Sequence, residues 1–313
     1  MTSEIGDPGP ESLERIDVAV DVLRRGGLVG MPTETVYGLA ANAGDECAVR
    51  RIFAAKRRPI DHPLIVHLGS AEELPQWARD VPPAAARLAA TCWPGPLTLI
   101  VVKAAHVLPV VTGGRVTVGI RVPAHPIALE LLRRFGGGVA APSANRFGCV
   151  SPTTASHVVA DLGTAVDLVL DGGACPIGVE STIVDCTVSP PQILRPGAIS
   201  IEAITELVGE IGEVAGPSRA SGMLESHYAP RCRVEIFESL AAATKRASEL
   251  LAEGHRVDVL DSTGDLVLAA KQLYSWLRAA DDNGLDALLA VLPEPRGLGH
   301  AIRDRLIKAS GER

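Results

Sequence analysis

Aromatic side chains are scarce: Phe, Tyr and Trp together make up 3% of the 313 residues. Proteins that hold unpaired bases stack them on such rings, interleaved with cations, so this composition argues against direct binding of tRNA or any other nucleic acid. The charge points the same way, because a formal net charge of −7 and a pI near 5.7 leave little footprint for a phosphate backbone. Six cysteines (Cys47, Cys92, Cys149, Cys175, Cys186, Cys232) stand without C-x-x-C or Cys/His ligand spacing. Neither a zinc site nor a disulfide framework is indicated, no metal ligands are assigned, and a reducing compartment suits them. No apolar run approaches the ~18 residues of a membrane helix. The first residues, MTSEIGDPGPES, are acidic and rich in Pro and Gly, unlike the basic and then apolar order of a signal peptide. A cytoplasmic protein with no membrane contact is expected.

The common nucleotide and hydrolase motifs are missing too. There is no G-x-x-x-x-G-K-[ST], H-E-x-x-H or G-x-S-x-G, and Gly297-Leu298-Gly299 lacks the third glycine and preceding strand of a dinucleotide fingerprint. A nucleotide enzyme built on this chain must therefore hold phosphates without a standard loop.

What is present is a globular composition, 47% hydrophobic and 21% charged, in a chain long enough for one large and one small domain. Leu13, Ile16, Val20 and Leu23 at helical spacing, closed by Gly26-Gly27, predict a helix over 11–25 that feeds a strand at 28–31. Further helices are expected over 45–55, from Ser70 (a capping box with Glu73), over 83–91 and 125–135, from Thr153 or Thr154 to 162, and from Ser200. Strands are expected at 64–68, 97–102, 117–122, 139–141, 166–170, 181–186 and 192–195, the apolar run of 97–102 marking a strand buried on both faces. Residues 209–230 are rich in breakers and read as a linker. Beyond it, strands at 233–237, 256–260 and 285–292 alternate with helices at 240–252, 266–279 and 298–309, an order that implies a small parallel sheet. The expected division is 1–208, a linker at 209–231 and a C-terminal α/β unit at 232–313.

Candidate chemistry gathers at strand ends. In GLVGMPTETVYGLAANA (27–43), Pro32, Thr33, Glu34 and Thr35 set hydroxyls, a carboxylate and free amides at a strand tip, where open α/β sheets bind ligands; an ordinary turn is the alternative. KRRPIDHPLIVHL (56–68) delivers Lys56, Arg57 and Arg58 before the next strand, although cations there also suit a helix C-terminus. VAAPSANRFGCVSPT (139–153) runs from strand into Ser143 and Asn145, which bind a ligand or cap a turn. Arg121 inside an apolar strand needs an anion, so it is a structural ion pair or a ligand clamp. His67 is a ligand or a satisfied core histidine, Glu34 and Glu180 are general bases or strand-end acceptors, and Asp171-Gly172-Gly173 reads as a turn. Lys56, Arg58, Arg121 and Arg195 come from three segments, with Ser143, Asn145 and Ser151 as neutral donors. That set suits adenylation, where attack on the α-phosphate of ATP needs positioning and charge neutralisation rather than an enzymic nucleophile.

In this order the stretches resemble the YrdC-like family, the threonylcarbamoyl-AMP synthases that begin N6-threonylcarbamoyladenosine (t6A) synthesis for tRNA. The resemblance covers the whole chain: PTETVYGL (32–39), the Lys56 and Arg58 pair, WPGPLTLIV (93–101), VGIRVP (118–123), PSAN (142–145), ESTIVD (180–185) and LRPG (194–197). HYAP (227–230) and GLGHAIRDRLIKAS (297–310) are similar to its long, two-domain branch. The resemblance implies an α/β fold, a YrdC-like twisted mixed open sheet with flanking helices plus a small parallel α/β/α (Rossmann-like) C-terminal domain. It implies a nucleotidyltransferase that converts L-threonine, bicarbonate or CO2, and ATP to L-threonylcarbamoyl-AMP and pyrophosphate. Mg²⁺ would accompany ATP, held by phosphates and water, and the product would pass to downstream tRNA threonylcarbamoyl-transferase machinery.

Matched motif by motif, threonine contacts fall to Thr35, His67, Arg121 and Ser181. ATP contacts fall to Lys56, Arg58, His62, Thr117, Ser143, Asn145, Ser151, Arg195, His227 and Tyr228, with Lys56 and Arg58 catalytic through their hold on the phosphates. His62 stands where long members often carry Asn, and an imidazole there brings a charge that varies near neutral pH. His227 and Tyr228 end a segment long enough to serve as a lid, or as a plain tether. Two other readings are a carbamoyl-adenylating transferase of the same fold, whose additional domains are absent, and an RNA-binding or ribosome-maturation factor, against which the acidity and few aromatics count.

Overall fold

The structure is a computed structural model that describes residues 9–214 and 228–311. Helix α1 (Pro10–Arg24) starts on a proline, whose fixed φ suits a first turn, and buries Ile16, Ala19, Val20 and Leu23 along one stripe. Strand β1 (Val29–Met31) then folds back through residues 32–37 into β2 (Gly38–Asn42), antiparallel, with Val29 opposite Ala40 and Met31 opposite Gly38. The sequence reading has one strand here and misses β2. GLAAN is short, small-sided and buried on both faces over its first four residues, so no alternation marks it.

Helix α2 (Glu46–Lys56) is capped by Asp45, which accepts the N–H groups of Cys47 and Ala48, and ends on Arg57 in the left-handed conformation, φ 54°. The chain continues through β3 (Ile65–His67), α3 (Leu74–Trp77), α4 (Pro83–Cys92), β4 (Leu97–Val102), α5 (Pro109–Thr112), β5 (Thr117–Arg121), α6 (Pro126–Phe135) and β6 (Val139–Ala140). After α7 (Ala155–Leu162) come β7 (Leu168–Val169), β8 (Thr182–Asp185), β9 (Gln192–Arg195) and α8 (Ile201–Val208). The short α3 and α5 have too few residues to show a helical period, which is why the sequence reading has no α5.

These strands form one mixed sheet in the order β7–β1–β2–β6–β3–β5–β4–β8–β9. Pairs β1–β7, β3–β5 and β4–β8 are parallel and the others antiparallel. One face is covered by residues such as Ile52, Leu88, Val158 and Ile204 from α2, α4, α7 and α8, the other by Ile16, Leu23, Leu131 and Leu132 from α1 and α6. The order draws together strand ends that are far apart in the chain, and the parallel β3–β5 register sets His67 directly beside Arg121.

The second sheet is parallel, as βαβαβα alternation requires: β10 (Arg233–Phe237), α9 (Leu240–Ala252), β11 (Val257–Asp261), α10 (Leu266–Asp282), β12 (Ala287–Val291) and α11 (Gly299–Ala309), with strand order β10–β12–β11. Helix α9 covers one face, and α10 and α11 the other. The α10/α11 cluster also takes in Val36, Val150 and Val179, which belong to loops of the first sheet, so the small unit packs against the edge of the cleft described below. Residues 209–214 run back along β9, where the Gln192 side chain donates to Glu213 O at 2.7 Å. The lid expectation falls mainly on residues 215–227 and, with His227, lies outside the described residues. Among the described residues, no helix is long and apolar enough to cross a membrane.

Candidate active site

The β1–β2 loop is shaped by its own hydroxyls. Thr33 Oγ1 donates to Val36 O (2.6 Å), accepts the N–H groups of Thr35 and Val36 (both 3.2 Å) and sits 2.8 Å from Thr35 Oγ1, a local turn of the kind short hydroxylated side chains make. The turn sends Glu34 toward β5, where it accepts from Arg121 Nη2 (2.7 Å) and Ala124 N (3.0 Å). Arg121 also donates through Nε to Gly95 O at 3.3 Å. Both partners are buried, and a buried pair must be well bonded to offset its desolvation. The two readings of Arg121 therefore meet in one residue: it is ion-paired to Glu34 and it lines the cleft.

His67, on the adjacent strand, also lines the cleft. Burial, and next the neighbouring Arg121 charge, push its pKa down to about 3, so its imidazole is neutral at pH 7. Its Nδ1 is buried with no hydrogen-bond partner among the described residues. An unsatisfied polar atom in a native interior calls for a reason, and a ligand in the cleft supplies one.

The opposite wall comes from β8 and β9. Ser181 Oγ shares a hydrogen with Thr98 Oγ1 at 2.8 Å, and Arg195 donates to both Ser181 O (2.9 Å from Nη2) and Ser181 Oγ (3.1 Å). Glu180, one residue earlier, accepts from Ser151 Oγ (2.7 Å), Tyr274 OH (2.7 Å) and Arg305 Nε (2.9 Å). Burial alone raises a carboxylate pKa, but Arg305 first and Arg195 second overcome it and bring Glu180 down to about 2. Glu180 is thus an ionised, fully bonded acceptor rather than a free base.

The basic segment divides its labour. Lys56 is only 1% exposed, and its ammonium donates to the main-chain carbonyls of Ser143 and Asn145. Burial and then Arg58 hold its pKa well below the usual lysine value. It therefore lies beneath the PSAN loop instead of at the pocket surface, where the sequence reading expects the cation. Arg58 does line the cleft; its guanidinium lies 5.6 Å from the Phe147 ring and donates to Pro63 O at 3.1 Å, and burial lowers its pKa to about 10. His62 meets the edge of the same Phe147 ring at 5.2 Å, and burial, then Arg58, lowers its pKa. The titration of the ring is thus moved below the ordinary imidazole range.

Seven of the expected residues line one cleft: Arg58, His67, Arg121, Ser143, Ser181, Arg195 and Tyr228. Thr35, Lys56, Asn145 and Ser151 stand behind that wall. Asn145 staples its own loop through Arg146 O (2.8 Å) and Cys149 O (2.7 Å), and its Oδ1 is buried without a partner among the described residues. His62 and Thr117 are outside the lining, Thr117 at the start of β5 opposite Val102. Tyr228, φ 63°, is fully buried, stacked on Tyr274 with centroids 5.6 Å apart. Val36, Gly38, Ile65, Ala141 and Pro142 also line the cleft and were missed, while Thr33, read as part of the ligand-facing strand tip but given no contact of its own, lines it too. Thr33 belongs to the same PTET string that flagged Thr35, but which hydroxyl faces inward depends on the turn.

Two families match the chain along its length: that described as Telomere recombination over residues 21–197, and the threonylcarbamoyl-AMP synthase C-terminal domain over 199–311. The threonylcarbamoyl-AMP synthase of Pyrococcus abyssi is 44% identical, over 96% of this chain and 95% of its own. That of Bacillus subtilis is 39% identical over 100% and 96%. The crystal structure of P. abyssi Sua5 complexed with L-threonine superposes with a TM-score of 0.90 at 43% identity, covering 95% of this chain and 94% of that one. With both domain families in sequence and relatives of this identity over nearly the whole length, the chain belongs to the threonylcarbamoyl-AMP synthase family.

Proposed function

We propose that this protein makes L-threonylcarbamoyl-AMP and pyrophosphate from L-threonine, bicarbonate or CO2, and ATP, the first step of t6A formation on tRNA. The observation that carries the proposal is the convergence of three arginines, Arg58, Arg121 and Arg195, from separate segments on one cleft whose neutral His67 keeps an unused nitrogen. Arg121, pinned by Glu34, grips the threonine carboxylate. His67 and Ser181 read its amine, hydroxyl or carbamate, and Thr35 shapes the loop they face.

The amine of threonine takes up CO2 to give a carbamate, and a carbamate oxygen attacks the α-phosphorus of ATP as the bond to pyrophosphate breaks. Arg58 and Arg195 neutralise charge on the phosphate oxygens as it builds, a contribution that needs no covalent enzyme intermediate. Lys56 acts from below by holding the Ser143–Asn145 carbonyls, so that the loop presents a fixed surface to the nucleotide. Asn145 and Ser151 support that surface, while His62, Thr117, His227 and Tyr228 complete the proposed nucleotide contacts. Mg²⁺ would accompany ATP and offset its phosphate charge, held by phosphate oxygens and water. Among the described residues, no three His, Cys, Asp or Glu gather to hold a metal ion.

The proposal includes the division into a catalytic unit at 1–208, a linking segment at 209–231 and a C-terminal unit at 232–313, with the product handed to the tRNA-modifying machinery downstream. Its test is pyrophosphate release with ATP, Mg²⁺ and bicarbonate against a panel of single amino acids. Release stimulated by threonine supports the proposal, and equal release with every amino acid, or none, refutes it.

A further inference from the structure

The string GLGHAIRDRLIKAS has no part in the chemistry above, yet it carries the largest fully buried side chain among the described residues, Arg305. From α11, Arg305 donates to Glu180 Oε2 (2.9 Å), Pro196 O (2.6 Å) and Asp304 Oδ2 (2.8 Å), and its guanidinium lies 5.4 Å from the Tyr228 ring. Tyr274, on α10, donates its hydroxyl to the same Glu180 Oε2 at 2.7 Å while its ring stacks on Tyr228. Glu180 and Tyr228 both line the cleft. Two elements of the cleft wall are thus fastened by side chains of the second sheet's helices.

We infer that Arg305 and Tyr274 are positioning residues for the reaction: they fix the Glu180 carboxylate, which in turn holds Arg195 and the adjoining Ser181 where the nucleotide phosphate requires them. The geometry favours this over simple adhesion between two units. An adhesive pair needs no third partner from the catalytic loop, yet Ser151 completes the set on Glu180 Oε1 at 2.7 Å. Nor does adhesion need the acceptor to sit next in the chain to Ser181, whose carbonyl and hydroxyl oxygens both accept from Arg195. The charged and titratable groups around Glu180 are Arg305 and Arg195, then Tyr274 and Tyr228, with Asp304 and Lys308 behind Arg305. Lys308 is tied to Asp304 at 2.6 Å, and Arg305 is bonded to Glu180 itself.

The inference rests on the function proposed above, and its test separates the two. Full-length wild type, Arg305→Gln, Arg305→Lys and Tyr274→Phe are compared for pyrophosphate release and for ATP binding by calorimetry, from about pH 5.5 to 9. In the wild type Glu180 is ionised throughout. Without Arg305, the largest of the influences that keep Glu180 ionised is gone and burial acts against Arg195, Tyr274 and Ser151 alone, so the carboxylate pKa rises. Arg305→Gln then loses kcat and ATP affinity on the acid side, by about tenfold for each pH unit below the new limb, and recovers toward higher pH.

Arg305→Lys restores the flat acid side, and Tyr274→Phe, which keeps the ring on Tyr228, shows a smaller acid loss in the same direction. A loss that is the same at every pH, or none in either residue, overturns the inference. Should Arg305→Gln not fold, Tyr274→Phe decides alone. A wild type that releases no pyrophosphate with threonine refutes the proposed function, while the pH dependence of ATP binding still decides this inference.

Discussion

Replacing Lys56 by methionine tests the account of the basic segment. Methionine keeps an apolar stem of similar length in a site that is 1% exposed and removes the donor that serves the Ser143 and Asn145 carbonyls. Each buried acceptor left without a partner costs about 1–3 kcal/mol, and removing a buried amine returns part of its desolvation cost. The net loss is therefore about 1–4 kcal/mol at pH 7, read as a lower urea midpoint.

The pH dependence gives a second readout. The Lys56 pKa in the folded chain lies well below its ordinary value, with burial the main cause and Arg58 the next, while in the unfolded chain it is near 10.4. Between those values the unfolded wild type binds a proton that the folded protein does not, so raising the pH stabilises wild type relative to the variant. The stability gap should widen as the pH rises from that lowered folded-state value toward about 10.4. Activity should fall as well, through a looser PSAN loop. A variant within about 0.5 kcal/mol of wild type, as expected of a surface position, or a gap that does not change with pH, would refute a support role and return Lys56 to the phosphates.

Other changes reach the cleft directly. Arg195→Ala should lower pyrophosphate formation by roughly 10²-fold, because it removes a fixed charge from the transferring phosphate; a normal rate in a steady-state assay would sink that role. Glu34→Gln breaks the buried pair with Arg121 and should cost about 3–5 kcal/mol in denaturant melts, with weaker threonine binding by calorimetry; unchanged values of both would show that Glu34 does not hold Arg121 in place. Among threonine analogues, serine should lose only about 1–3 kcal/mol in kcat/KM, whereas valine, which leaves the partners of the hydroxyl unpaired, should be rejected by about 10⁴-fold. Equal use of serine and valine would mean that no residue reads the hydroxyl.

The sequence made most of the helices legible, since their apolar spacing survives in α1, α2, α6 and the alternating C-terminal elements. It concealed β2 because GLAAN is apolar at every one of its first four positions. It made Arg121 legible as a residue in need of an anion but could not name Glu34 as the partner, since that depends on the Thr33 turn. Lys56 and Arg58 are two residues apart and look alike in the chain, yet one points under the PSAN loop and the other into the cleft, because the helix ends between them on a left-handed Arg57. The bonds from Tyr274 and Arg305 to Glu180 span 94 and 125 residues, and no local pattern announces contacts of that range.

The most direct test of the central claim is mass spectrometry of the nucleotide product formed from ATP, Mg²⁺, L-threonine and ¹³C-bicarbonate. The account predicts a threonine-dependent adenylate whose mass is that of L-threonylcarbamoyl-AMP with its one labelled carbon. Threonyl-AMP without the label, or only ADP and phosphate, would contradict it.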